Sequence, residues 1–302
     1  MTQKTAVSVR QKLLNKARKE KRPFQEVLQY YAMERFLYRL SQSLHSGCFT
    51  LKGALMLWAM QGPNSRPTRD IDMLGQTSNE PEAILAQVRD IIAAEVMDDG
   101  LDFDLDTLKA EAITADADYQ GLRVTFTGSL GKARIPMQLD IGFGDPIFPF
   151  PSWREFPALL EFPAARIKCY TPESSIAEKF QAMINLGELN SRMKDFYDIW
   201  LLSRQHEFQL ENLKGAVERT FLKRGTKIPE ISPFSAVFID SKQPQWNAFR
   251  KRLGQDHVPQ AFSEVVDVVV EFLGPVMASR GVDASMETWL PPGPWSRQCP
   301  GR

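Results

Sequence analysis

In PFQEVLQYYAMERFLYRLSQS the apolar residues Phe24, Val27, Leu28, Tyr31, Phe36 and Leu40 recur at spacings of three and four. That spacing predicts a helix with one stripe turned to a core. An earlier helical pattern ends in NKARKEKR, where Lys16, Arg18, Lys19, Lys21 and Arg22 read first as a solvated face and second as a nucleic-acid contact. From Cys48 the chain breaks into short apolar pieces: FTLKGALMLWAM, the turn-rich QGPNSRPT, then the strand-like DIDML. A helix is predicted over 80–96, and GLRVTFTGSL with KARIPMQLDIGFG reads as a hairpin. After the proline-rich PIFPFPSWREFP, helical patterns cover 172–187, 191–205, 209–223 and 258–273. The density of Pro and Gly in PPGPWSRQCPGR predicts a disordered tail.

The fold class expected from this order is α+β, a small mixed sheet with helices packed on it and a helical C-terminal half. The expected divisions are N-terminal helices over 1–45, a core over 46–150, a mainly helical domain over 151–275 and a tail over 276–302.

Composition narrows the chemistry. With 43% hydrophobic and 25% charged residues in 302, the chain can bury a core. Lys+Arg and Asp+Glu number 37 each, so bulk charge announces no polyanion partner and any such contact must use a local patch. Three widely spaced cysteines argue against a disulfide scaffold, and three scattered histidines against a zinc hydrolase. No apolar signal core or run of about 20 apolar residues is present, which sets the expectation of a cytoplasmic protein.

The most informative segment is RPTRDIDML. On a strand, Asp70 and Asp72 share a face while Ile71 and Met73 turn to the opposite, apolar layer. Adjacent carboxylates repel unless a cation neutralises them, and oxygen ligands suit Mg²⁺ bridging to phosphates. In ARIPMQLDIG the same alternation places Asp140 on a polar face. If the two strands are neighbours the three acids converge, as a two-metal phosphoryl site requires. Asp145, in a Gly-Asp-Pro turn, competes for the third place but reads as structural. Upstream, Lys52 and Gly53 begin a helical run whose N-terminus could receive phosphate. In the helical half Lys179 flanks an apolar stripe, Asp195 and Asp198 stand at i, i+3, and Arg192 precedes them. An ion-pair network, for example Lys194 with Asp198, competes with a lysine aimed at a triphosphate and oriented by an aspartate. GSLGKAR lacks P-loop spacing, GFGDPI lacks a dinucleotide fingerprint, and no nucleophile elbow exists.

Together, Phe49-Thr-Leu-Lys-Gly-Ala54, Arg66-Pro-Thr-Arg-Asp-Ile-Asp72, Gln138-Leu-Asp-Ile-Gly142, Ala177-Glu-Lys-Phe180 and Arg192-Met-Lys-Asp-Phe-Tyr-Asp198 resemble the AbiEii/AbiGii nucleotidyltransferase toxins, a group that includes MenT-type toxins. The resemblance spans about residues 8–205. It implies a DNA polymerase β-like nucleotidyltransferase core and a toxin neutralised by a separately encoded antitoxin. It maps the metal-binding pair onto Asp70 and Asp72, the nucleotide-contacting lysine onto Lys179, and the essential acid onto Asp195. Asp140 corresponds least securely as a third metal ligand. Lys52, Gly53, Ala54, Arg69, Arg192 and Asp198 join Lys179 as nucleotide-contacting candidates; Ala54 stands where the family usually carries Gly or Ser. The implied reaction moves a nucleoside monophosphate from a nucleoside triphosphate to an RNA acceptor, the 3′ end of tRNA, with Mg²⁺ or alternatively Mn²⁺, in a cleft between the two halves. Competing readings are a kinase-like phosphotransferase and a non-catalytic RNA- or partner-binding protein. The N-terminal basic helix and Arg219, Lys223, Arg224 and Lys227 are the expected RNA-groove residues.

Overall fold

A computed structural model describes residues 3–61, 66–113, 121–278 and 287–297. The chain divides into two compact units, one of Met1–Asp145 with Pro151–Tyr170, the other of Pro146–Phe150 with Thr171–Arg302.

The first unit opens with α1 (Gln3–Lys19) and α2 (Phe24–Gln42), then β1 (Phe49–Lys52), α3 (Gly53–Gln61), β2 (Ile71–Gly75) and α4 (Pro81–Ile92). Five strands follow: β3 (Leu101–Ile113), β4 (Gly121–Leu130), β5 (Ala133–Phe143), β6 (Ser152–Phe156) and β7 (Ala165–Cys169). They form one mixed sheet in the order β3-β4-β5-β2-β1-β7-β6. β1 runs parallel to β7 and β2 parallel to β5, while the remaining neighbours are antiparallel. Ile71, Met73, Leu139, Ile141, Val124 and Phe126 alternate onto the buried face, where α2 packs against β5 and β7 and α4 against β3. α2 buries Val27, Leu28, Tyr31, Phe36 and Leu40 of the predicted stripe, but it is buried on its other sides as well, Gln29, Glu34 and Arg35 included, and Phe24 is only half-buried. A bidentate Arg39–Asp99 pair, at 2.7 and 3.0 Å, ties its C-terminal end to the start of β3.

The second unit contains α5 (Pro172–Leu186), a 3₁₀ turn (Gly187–Leu189), α6 (Met193–Gln205), β8 (Phe208–Gln209), α7 (Leu210–Lys223), α8 (Ala236–Leu253), α9 (Phe262–Met277), β9 (Glu287–Trp289) and β10 (Trp295–Arg297). α5 starts where Thr171 accepts the Ser174 amide hydrogen and Pro172 occupies the first turn, a position that needs no amide donor. Ring contacts link Phe196, Phe234, Phe238, Trp246 and Phe262 into a core.

Three expectations need correction. The boundary drawn at 150/151 fails, because β6 and β7 return to the sheet of the first unit; Ala165, Ile167 and Cys169 alternate inward behind the proline-rich segment. The tail expected over 276–302 is structured where it is described: β10-β9-β8 form a small sheet, and Trp289 is fully buried against Phe272 with its indole N–H donating to the Ser203 carbonyl at 2.6 Å. Two aromatic anchors, Trp289 and Trp295, outweigh the Pro and Gly around them. Lys52 ends a strand rather than opening a helix. β3 and α8 are additions to the reading; α8 carries Pro244 and buries only Phe238 and Trp246, too few for a visible stripe.

Replacing Trp289 with Ala removes a buried aromatic anchor and should lower unfolding free energy by about 3–5 kcal/mol. Urea denaturation of the full chain reads this directly.

Candidate active site

The acids gather because of strand register. β2 and β5 are parallel neighbours with Asp72 paired to Asp140 and Ile71 to Leu139, so the alternation that buries the apolar residues stacks the carboxylates on the other face. Asp70 lies just before β2, in a bend. Carboxylate oxygens of Asp70, Asp72 and Asp140 lie within 4.8 Å of one another.

The approach to Asp70 is anchored by α2. Gln29 donates to the carbonyls of Arg69 at 3.4 Å and Pro136 at 2.9 Å, and the Thr68 amide donates to the Tyr30 hydroxyl at 3.1 Å. The Thr68 hydroxyl donates to the Asp70 carboxylate. Asp140 is held by Arg123 through two contacts of 2.8 Å, and the Gln138 amide donates to both of its oxygens at 3.1 and 3.2 Å. Lys52 reaches Asp145 at 3.2 Å and lies over the Tyr170 ring. The side chain of Asp145 is 1% exposed, in accord with a structural place for that turn residue.

Gly53 adopts φ 70°. A Cβ there would run into the Asp72 carboxylate, so the residue type clears space for that side chain. Burial first and the neighbouring Asp70 charge second push the Asp72 carboxyl up to about 6 from 3.8. Three hard oxygen donors, a raised acid and a cleared cradle fit a divalent cation of the Mg²⁺ or Mn²⁺ kind.

In the second unit, α5 and α6 build a separate charge centre. Lys179 contacts Asp198 at 2.7 Å and Asp195 at 3.4 Å, and Arg192 contacts Asp195 at 2.5 Å. Both acids are buried, at 0% and 1% exposure, so they are not a solvated surface pair. Asn190, itself buried, accepts the Arg192 amide hydrogen at 2.8 Å and sets the start of α6. Asp198 thus meets Lys179, on another helix, in addition to standing at the spacing from Lys194 that suggested a local pair.

Ala54 is buried and Arg69 exposed. Several cations expected to line an RNA groove have other work: Lys16 pairs with Glu20, Arg22 with Glu26, Arg224 with Glu178, and Arg219 covers the Phe148 ring. Arg18, Lys19, Lys21, Lys223 and Lys227 are exposed. Sequence reasoning missed Arg123. The signal was present, since a hairpin turning at Gly131–Lys132 from the pair Leu130↔Ala133 brings Arg123 opposite Asp140.

In the first unit, an acidic triad on the polar face of the sheet is suited to binding a divalent cation. The AbiEii family profile, described as "Nucleotidyl transferase AbiEii toxin, Type IV TA system", matches residues 35–268, and the chain belongs to that family. A search of curated proteins gives no match. Two solved structures are similar: a proposed nucleotidyltransferase from H. pylori, at 15% identity and TM-score 0.48 over 83% of this chain and 92% of that one, and JHP933 from Helicobacter pylori, at 15% identity and TM-score 0.49 over 84% and 90%. Among the described residues no helix is long and apolar enough to cross a membrane.

Asp72→Asn should stabilise the metal-free protein near pH 7.5 by about 1–2 kcal/mol, a figure discounted for the partial exposure of the site. The sign follows from a folded pKa above the unfolded one: the folded state holds a proton between about 4 and about 6, and stability is lost as pH rises through that window. The advantage of the variant should therefore disappear at pH 4, and thermal melts across pH check it.

Proposed function

We propose that this chain is a metal-dependent nucleotidyltransferase that moves a nucleoside monophosphate from a nucleoside triphosphate to the 3′ hydroxyl of an RNA acceptor, of the tRNA class, with pyrophosphate leaving. The observation that carries the reading is the register that sets Asp72 beside Asp140 with Asp70 at the entry to β2. Membership of a nucleotidyltransferase toxin family supports the reaction class, and the type IV toxin–antitoxin description supports a cognate antitoxin partner.

Asp70 and Asp72 hold the divalent cation in this reading, with Asp140 as third ligand. That cation would neutralise charge developing on the phosphates during displacement at the α-phosphorus. The protein residues do the positioning. Thr68 fixes the Asp70 carboxylate, and Gly53 leaves Asp72 its space. Lys179 contacts the triphosphate, its ammonium aimed by Asp195 and Asp198, and Arg192 holds Asp195 in place. Blocking an acceptor end would stop its use in translation, which gives the toxic outcome, with the cytoplasm as its place of action.

The test uses purified protein, Mg²⁺ and total RNA with α- or γ-labelled nucleoside triphosphates. Label from the α position should appear on RNA 3′ ends while γ-label leaves as pyrophosphate. Asp72→Asn and Lys179→Ala should each lower transfer by about 100-fold or more. Retention of γ-label on the acceptor would establish a kinase-like reaction instead, and growth inhibition untouched by both substitutions would establish a non-catalytic protein.

A further inference from the structure

Charged residues stand in one row across the sheet. The registers set Glu111 opposite Arg123, Arg123 opposite Asp140, Asp140 beside Asp72, and Asp72 opposite Lys52. Directly paired residues hold their Cβ atoms about 4.5–5.5 Å apart, so each charge acts on the next. The like-charged pair at the centre is flanked on each side by a cation.

The two flanking cations are used differently. Lys52 is tied to Asp145, which lies outside the triad. Arg123 is tied to a member of the triad, gripping both oxygens of Asp140 at 2.8 Å. That hydrogen-bonded fork raises the proton affinity of the guanidinium above its ordinary value. Arg123 is 36% exposed and Asp140 18%, so the fork can open without unpacking the core.

Carboxylate oxygens held by a guanidinium offer less charge to a second cation, and a divalent ion beside the fork meets like-charge repulsion. The geometry points to Arg123 as a positioning residue that competes with the divalent cation for Asp140. In the metal-free protein it neutralises the third carboxylate and leaves Asp70 and Asp72 as the open pair. This inference rests on the reading of the triad as a metal site. The opposite role, a donor that orients Asp140 as a ligand, is already filled without charge by Gln138.

Binding of Mn²⁺ to the purified full chain, followed by electron paramagnetic resonance without nucleotide, separates these roles. Arg123→Gln should bind Mn²⁺ about 5- to 10-fold more tightly than the wild type, approaching 1.4 kcal/mol. Arg123→Lys keeps the charge but loses the fork, and should recover part of the gain. In an Asp140→Asn background the Arg123→Gln gain should vanish; general charge removal would preserve it. Thermal melts confirm that each variant folds. Unchanged or weaker Mn²⁺ binding by folded Arg123→Gln, or a gain that survives in Asp140→Asn, overturns the inference. Failure of the underlying metal reading looks different: the wild type and Asp72→Asn would then be alike in binding no Mn²⁺.

Discussion

Repulsion among three carboxylates held within 4.8 Å is the constraint around which the first unit is organised. Left to itself the cluster would spread or protonate, and the Asp72 carboxyl is pushed up to about 6 by burial first and by the neighbouring Asp70 charge second. The apolar side of the same strands prevents spreading. Ile71, Met73, Leu139 and Ile141 lock β2 to β5, and a slip of one residue would send the acids into the core and the apolar side chains out of it. The sheet thus spends packing energy to hold charges where water alone would not leave them, the familiar opposition of stability and function. Lys52 and Arg123 temper the field from the two adjoining strands without entering the core face.

In the second unit the problem is inverted, for there a lysine is confined among acids. Asp195 and Asp198 are buried and Lys179 is 12% exposed. Desolvating such charges costs several kcal/mol each, and their mutual attraction seldom returns more than that. A pair of packed helices would gain as much from apolar residues of similar volume. The arrangement instead fixes the ammonium at one place and in one direction, with Arg192 and Asn190 securing the acid that holds it. Such expense on orientation is understandable if the ammonium serves a ligand.

How much could be read in advance depended on the range of the interactions. Alternation in DIDML and ARIPMQLDIG is local, so the faces of Asp72 and Asp140 were legible, whereas their adjacency was conditional on a pairing that no local pattern fixes. Helix α2 and the β4–β5 hairpin announce themselves by period. β7 does not, because five residues behind a proline-rich segment look like part of a linker until their pairing with β1 is known. Trp289 illustrates the same limit: its burial depends on Phe272 and Ser203, far back in the chain, while Pro291, Pro292 and Gly293 follow close behind it. The spacing of three between Asp195 and Asp198 says only that they are neighbours on one helix, not that Lys179 of α5 lies against them.

Gly53 ties two sequence motifs into one steric unit. Read along the chain, the glycine before a helix suggests close approach of a phosphate to backbone. In the folded sheet, β1 and β2 are antiparallel with Lys52 opposite Asp72, and Gly53, the first residue of α3 directly after β1, lies against that carboxylate. The space a Cβ would take is already filled by Asp72, and the left-handed backbone at φ 70° would strain any other residue. Neither fact involves a phosphate. The Lys-Gly pair and the Asp-x-Asp pair therefore depend on each other through the strand register, and the buried Ala54 that follows can pack into the core without changing the space left for the carboxylate. A departure from the family pattern at position 54 thus falls on the packed side of the turn, while the position whose shape the acid cluster requires remains glycine.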